Sequence, residues 1–265
     1  MQTKNLLAID LDGTTVTDDG KILDGTIEDL NRARRAGTKV CIVTGRGQFE
    51  MVPFSDYAVM ADFLITNTGA TIMDLQQEKI LYTWRVDPNE AKAIIDYCLQ
   101  HNGLLHVNAD LYWGVNLITD RVKSFAFDVH RDPTIYSGVA EVPIDRIEGF
   151  CMNDPQMCRD VAQMIERRGF HLYTVESQPY YFSILPQEVS KRKAIEVLFG
   201  QLGIHRENVI AVGNYTNDID LIRHAGVGVA VQNATNDVKA VADFITDRTN
   251  NENAVGEVVE RFVLG

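Results

Sequence analysis

The chain has 265 residues, 45% of them apolar, and a formal net charge of −12. That length allows one large domain or two modest ones with a sizeable core, and the acidic balance argues against nucleic acid or an anionic membrane as partner. No window approaches the roughly 18 continuous apolar residues of a membrane span, Met1-Gln2-Thr3-Lys4-Asn5 lacks a signal peptide's apolar segment, and the expected compartment is the cytosol.

The first predicted element carries most of the information. Leu6-Leu7-Ala8-Ile9 reads as a short strand buried on both faces, as in a parallel sheet, and it runs into Asp10-Leu11-Asp12-Gly13. Asp10 and Asp12 leave a strand from the same face, and Gly13 permits the turn that ends it. Paired acids at the carboxyl end of a buried strand stand where open α/β sheets bind ligands. Two readings are open at this point. A divalent metal such as Mg²⁺ offsets the repulsion between the acids, or the acids sit in a solvated turn.

A helix is predicted over 26–36, stopped by Gly37, and then a strand over 39–43 that ends in Thr44-Gly45-Arg46. A hydroxyl and a glycine there can hold an anion with backbone N–H groups, or form a plain turn. A third strand follows over 62–66, and the alternation predicts a parallel α/β sheet. The rhythm then changes. A hairpin is expected at 70–74 and 79–84 around Gln76-Gln77, and Asp87-Pro88-Asn89-Glu90 opens a helix to about 101. Strands are read at 104–108 and 112–118, no element is assigned to 119–146, and a strand (147–152), a helix (156–168, stopped by Gly169) and two strands (171–175 and 180–185) complete the block. After Pro186 the α/β rhythm returns. The predicted order is helix 190–202, strand 208–212, a helix ending at 225, strand 227–231, helix 234–242, strand 244–246 and helix 254–262. The expected organisation is a discontinuous core, 1–82 with 187–265, and an inserted α+β domain, 83–186.

Three predicted strands end in polar, glycine-bearing turns at Asp10, Thr44 and Gly213, and a parallel sheet puts those turns on one edge. Lys191, at the start of a helix, is a candidate to approach that edge, though alone it also reads as a solvated helix residue. Arg46 is a candidate substrate contact or the partner of a surface acid. Within the insert, His106, Tyr112, Trp113 and Tyr180 are candidates to touch substrate, against a core or surface reading for each. Trp113 leads them because an amphipathic ring suits a binding face. Carboxylates, a hydroxyl, amides and N–H groups suit phosphoryl transfer, with a carboxylate as nucleophile and Mg²⁺ to offset its repulsion from phosphate. Cys41, Cys98, Cys151 and Cys158 form no C-x-x-C pair and read as small buried hydrophobes, and the six histidines read as structural or surface residues.

In this order the motifs resemble those of the haloacid dehalogenase superfamily, specifically its Cof-type phosphatases with a large inserted cap. They are D-x-D-G-T at Asp10-Leu11-Asp12-Gly13-Thr14, T-G-R at Thr44-Gly45-Arg46, the lysine of Val189-Ser190-Lys191, and G-D-x-x-N-D, here Gly213-Asn214-Tyr215-Thr216-Asn217-Asp218. The resemblance covers nearly the whole chain. It implies a Rossmann-like parallel-sheet core with an α+β cap, and Mg²⁺-dependent hydrolysis of small organic phosphate monoesters, plausibly sugar phosphates by the family's habit. The implied nucleophile is Asp10, also a metal ligand. The implied general acid and base is Asp12, whose backbone carbonyl also binds the metal. The backbone N–H groups of Leu11, Thr44, Gly45, Lys191 and Asn217 would hold phosphate, and Asp218 would orient the metal site directly or through water. Two departures stand out. Asn214 replaces the family's metal-binding Asp, keeping an oxygen but losing a charge. Thr68-Gly69-Ala70 replaces N-G-A, with Asn67 one place earlier. The alternatives are a phosphotransferase or mutase, and a non-catalytic phosphometabolite-binding protein with a weakened metal site.

Overall fold

A computed structural model describes residues 5–265. Residues 1–4 of the amino-terminal stretch discussed above lie outside the described residues. The strands are β1 (Leu6–Ile9), β2 (Lys39–Val43), β3 (Phe63–Thr66), β4 (Thr71–Asp74), β5 (Lys79–Thr83), β6 (His106–Ala109), β7 (Tyr112–Val115), β8 (Thr134–Ile135), β9 (Gly149–Met152), β10 (Leu172–Gln178), β11 (Tyr181–Pro186), β12 (Val209–Gly213), β13 (Val227–Ala230) and β14 (Phe244–Ile245). The helices are α1 (Asp24–Arg35), α2 (Ser55–Ala58), α3 (Pro88–Gln100), α4 (Asp120–Asp128), α5 (Pro155–Arg168), α6 (Lys191–Leu202), α7 (Ile219–His224), α8 (Asn236–Lys239) and α9 (Ala254–Val259). They form two compact units.

The first unit holds the chain to Gly45, Pro53–Tyr82 and Ser190–Gly265. Its sheet has the order β14-β13-β12-β1-β2-β3-β4-β5. From β14 to β3 every pairing is parallel. All four residues of β1 are fully buried, which is why that strand reads as an unbroken apolar run. Small residues meet in the middle of the sheet, where Ala8 pairs with Ala211 on one side and Cys41 on the other. The predicted hairpin does not leave this sheet. β4 runs antiparallel to β3, because the turn at Asn67–Gly69 between them is far too short for a parallel crossover. The parallel sheet thus gains an antiparallel border.

The second unit, an α+β domain, holds Thr83–Val189 together with Arg46–Val52. Its sheet has the order β10-β11-β9-β6-β7-β8. Ile94 and Ile95 of α3, Val161 of α5, Val107, Phe150 and Ile184 make its core. Helices α3 and α5 both start with an aspartate cap and a proline: Asp87 accepts from the N–H groups of Asn89 and Glu90, and Asp154 from those of Gln156 and Met157. The stretch 119–146 resolves into α4, β8 and two 3₁₀ turns. It carries little periodicity because α4 buries only Val122 and both residues of β8 are exposed. The helix read at 234–242 is the single turn α8, which buries only Val238.

Residues 46–52 fall in the inserted unit and outside the core span that the sequence pattern gives them. Gln48, Phe49 and Met51 are buried there. Gln48 Nε2 donates to Glu148 Oε1, and the Phe49 ring stacks on Trp113 with centroids 5.2 Å apart. All four cysteines are free and buried, and burial pushes their thiols up, which leaves no nucleophilic thiolate among them. Among the described residues no helix is long and apolar enough to cross a membrane.

Candidate active site

The site is assembled at the carboxyl end of β1 and β12. Asp10 continues β1, its N–H still donating to the Val212 carbonyl at 2.9 Å. The chain then turns sharply. The N–H groups of Thr15 and Val16 both donate to the Leu11 carbonyl, at 2.9 and 2.8 Å, and the Thr15 hydroxyl donates to the Asp10 carbonyl at 2.6 Å. Gly13 adopts φ +72°, and a Cβ there would run into the Asn214 side chain, so both backbone conformation and space require glycine.

Lys191 is the first residue of α6. Ser190 caps that helix, its Oγ accepting from the Lys193 N–H at 3.2 Å. The lysine is not a solvated helix residue but 1% exposed. Its Nζ lies 2.6 Å from Asp10 Oδ1 and 2.6 Å from Asp218 Oδ1. Burial disfavours its charge, but Asp10 and Asp218 outweigh that and hold it protonated, above the ordinary lysine range. For Asp10 the balance goes the other way. Burial, then the neighbouring Asp218, raise its carboxyl above the usual range, and Lys191 offsets only part of this. Asp218 is fixed from its other oxygen, Oδ2, which accepts from the N–H groups of Asn214 and Tyr215 at 3.0 and 3.1 Å. A Cβ on Gly213 would lie 2.5 Å from that carboxylate.

Asn214 sits against the acids. Asp10 Oδ2, the Asp12 carbonyl oxygen and the Thr14 hydroxyl oxygen converge on one atom of its amide, each at 3.1 Å. The Asp12 carbonyl can only accept, so that atom is the amide nitrogen, which then also faces Asp10 Oδ2. The sequence flagged Asn214 as an odd residue and placed Thr14 in the first motif, without assigning Thr14 a role beside Asn214.

The remaining candidates divide. Asn217 lies in the 3₁₀ turn Thr216–Asp218 that follows β12. Thr44 and Gly45 end β2, yet the Thr44 N–H donates to the Ile65 carbonyl at 2.9 Å, so the ladder continues through it and that N–H is not an anion donor. Asn67 and Thr68, at the end of β3, are both buried and both left-handed, with φ of 49° and 56°. A β-branched residue there is strained. Arg46 and Trp113 belong to the second unit. Trp113 is 2% exposed, packed between Phe49 and the edge-on Phe125 ring at 5.1 Å. Its ring is core and not a binding face, which corrects the reading based on its amphipathic shape.

A buried lysine between two carboxylates, at the carboxyl ends of β1 and β12, suits the handling of a phosphoryl group, and the comparisons give the class. Residues 7–259 match the family model described as haloacid dehalogenase-like hydrolase, and the chain belongs to that family. It is 29% identical to the 5-amino-6-(5-phospho-D-ribitylamino)uracil phosphatase YcsE of Bacillus subtilis, over 98% of this chain and 96% of that one. It is 25% identical to the HMP-PP phosphatase of an Enterobacter species, over 86% and 84%. Its fold resembles the HAD subclass IIB sugar phosphatase BT4131 with a TM-score of 0.84 and 25% identity, over 97% and 98%. The chain is a phosphoric monoester hydrolase of this family, with a Rossmann-like core and an inserted α+β cap domain.

Proposed function

We propose that this phosphatase hydrolyses small organic phosphate monoesters, sugar phosphates among them, through an aspartyl-phosphate on Asp10. The observation that carries the reading is the contact between Asp10 Oδ1 and the buried Lys191 ammonium. It favours the ionised carboxylate against the burial and the Asp218 charge that oppose it, and it puts a fixed cation beside the place of an incoming phosphate dianion. Asp10 attacks phosphorus, and the alkoxide leaves with a proton from Asp12. Asp12 then takes a proton from water, which cleaves the acyl phosphate and returns Asp10. Leu11, Gly45, Lys191 and Asn217 hold phosphate oxygens through their N–H groups, and Thr44 does so from its side chain.

The donor chemistry also fits a hard divalent cation. Asp10 Oδ2 and the Asp12 carbonyl oxygen both reach one point, and both are oxygen ligands. Charge is short, however, because both oxygens of Asp218 are already engaged by Lys191 and by backbone N–H groups. We therefore assign Mg²⁺ to Asp10 and the Asp12 carbonyl, with Asp218 and Asn214 around it. When bound, the ion supplies neutralisation of charge between Asp10 and phosphate. The unit made of Thr83–Val189 with Arg46–Val52 serves as the cap domain and the rest of the chain as the catalytic core, with substrate choice in the cap. The names of the relatives, a 5-amino-6-(5-phospho-D-ribitylamino)uracil phosphatase, an HMP-PP phosphatase and a sugar phosphatase, support a small phosphorylated metabolite as substrate.

The test is release of inorganic phosphate from a panel of phosphate esters, with and without Mg²⁺. Product analysis with an added alcohol acceptor separates hydrolysis from phosphotransfer. A panel without turnover under any condition would overturn the substrate class proposed.

A further inference from the structure

Asn214 stands where the family resemblance calls for a carboxylate, and its surroundings show more than the loss of a charge. Its backbone is pinned on both sides. The N–H donates to Asp218 Oδ2 at 3.0 Å, and the carbonyl accepts from the Thr235 N–H at 3.0 Å. Its side chain is confined by Gly13, where even one added carbon would collide with it. From that fixed place the NH₂ group donates to Asp10 Oδ2 and to the Asp12 carbonyl oxygen, each at 3.1 Å. These are the two oxygens that converge to receive a cation.

We propose that the Asn214 amide is a built-in stand-in for the divalent cation, bridging Asp10 and the Asp12 carbonyl so that an entering ion must first displace it. The physical reason is a balance of charge and hydrogen bonding. Asp10 and Asp218 bring two negative charges into a buried space that holds one positive charge, Lys191. A carboxylate at 214 would add a third negative group facing two acceptors, a repulsion that a metal ion relieves. The amide instead presents the positive end of its dipole to both acceptors and satisfies them. The metal-free site is therefore stable in its own right, and Mg²⁺ binding has to give back two hydrogen bonds. The consequence is a metal affinity lower than a carboxylate at 214 would give, combined with a fold that does not depend on metal.

This rests on the reading of Asp10 and Asp12 as the cation's ligands, and the test separates the two ideas without using turnover. The full chain, Asn214→Asp and Asn214→Ala are freed of metal with chelator. Thermal unfolding is followed in chelator and in Mg²⁺, and Mg²⁺ binding is measured by calorimetry. In chelator the wild type should melt above both variants, since Asp adds repulsion and Ala removes both amide hydrogen bonds. Asn214→Asp should bind Mg²⁺ at least about tenfold more tightly than the wild type, the lower end of the range seen when the surroundings of a metal are altered. Its melting temperature should also rise most on adding Mg²⁺. Asn214→Ala is the discriminating variant. It should bind Mg²⁺ at least as tightly as the wild type, because nothing has to be displaced. Weaker binding by Asn214→Ala would make Asn214 an ordinary ligand through its oxygen and overturn the stand-in. A chelator-treated Asn214→Asp as stable as the wild type would overturn it too. Absence of Mg²⁺ binding in all three proteins would overturn the metal reading of the site, and the proposal with it.

Discussion

At the scale of single residues, the site is governed by burial acting on charge. Asp10 carries a negative charge that burial and Asp218 both disfavour, yet the proposed chemistry needs that charge as nucleophile. Asp10→Asn removes it and leaves Lys191 paired with Asp218. The expected outcome is loss of phosphate release together with a gain in stability of about 1 kcal/mol or more, following the cost of charging a group that burial resists. Urea unfolding and a phosphate assay on the same preparation check both halves, and undiminished release would sink the covalent role. His106 obeys the same physics in the second unit. It is 4% exposed, accepts from Trp113 Nε1 at Nδ1 across 3.1 Å, and its Nε2 has no hydrogen-bond partner among the described residues. Burial, helped by Arg121, pushes its imidazolium pKa down to about 4. The unfolded chain therefore takes up a proton before the folded one does. Stability is complete above the ordinary histidine pKa of about 6.5 and falls as the pH drops toward 4, by on the order of 3 kcal/mol. His106→Asn should flatten that slope, with Trp fluorescence in denaturant titrations at pH 7, 5.5 and 4.5 as the readout. An unchanged slope would assign the acid sensitivity to other groups.

At the scale of elements, the site depends on how closely the turn after β3 approaches the start of α6. Gly69 has φ +117°, and a Cβ there would run into the Ser190 backbone. Ser190 caps α6 and Lys191 follows it, so this contact sets the height at which the lysine enters the site. Gly69→Ala should destabilise the protein by more than about 1 kcal/mol, since the conformation and the space both refuse a side chain. It should lower kcat more than it raises KM by tilting Lys191 away from Asp10. Ser190→Ala loses only the cap, about 1 kcal/mol, and serves as the control for simple helix fraying. If both variants show the same kinetics in proportion to their stability loss, the positioning argument fails.

For the whole molecule, the chain passes between the units more often than a single insertion requires. The second unit contains Arg46–Val52 as well as Thr83–Val189, so the polypeptide passes between the units at four places. One pair of crossings flanks a segment that follows directly on the Thr44-Gly45 turn. Phe49, 3% exposed, is part of that unit's hydrophobic cluster with Trp113, Val115 and Val122. Phe49→Ala should cost about 3–5 kcal/mol, as for other buried aromatic truncations. The loss should appear as faster amide exchange in the second unit, around β6 and β7, although residue 49 lies in the first third of the sequence. Exchange that quickens only around β1 and β2 would contradict this assignment.

The sequence by itself determined the alternation of apolar strands and capped helices, the carboxylate pair after β1, and the order of the four motifs. These are local properties: an unbroken apolar run signals burial on both faces, and a proline after an aspartate signals a helix start. It also located Asn214 as the departure. What only the tertiary structure decided are the relations between distant residues. Lys191 is buried because Asp10, after β1, and Asp218, in the turn after β12, both meet it; the motif order marked it as a site residue, but its ion-pair partners lie far from it in the sequence. Trp113 is core because Phe49 covers it, and nothing near position 113 announces that. The antiparallel border, the membership of residues 46–52 in the second unit, and the bridge from Asn214 to Asp10 are likewise contacts across long stretches of chain. Local pattern fixes which face of an element is apolar, whereas the three-dimensional packing fixes which partner that face, or that charge, finally meets.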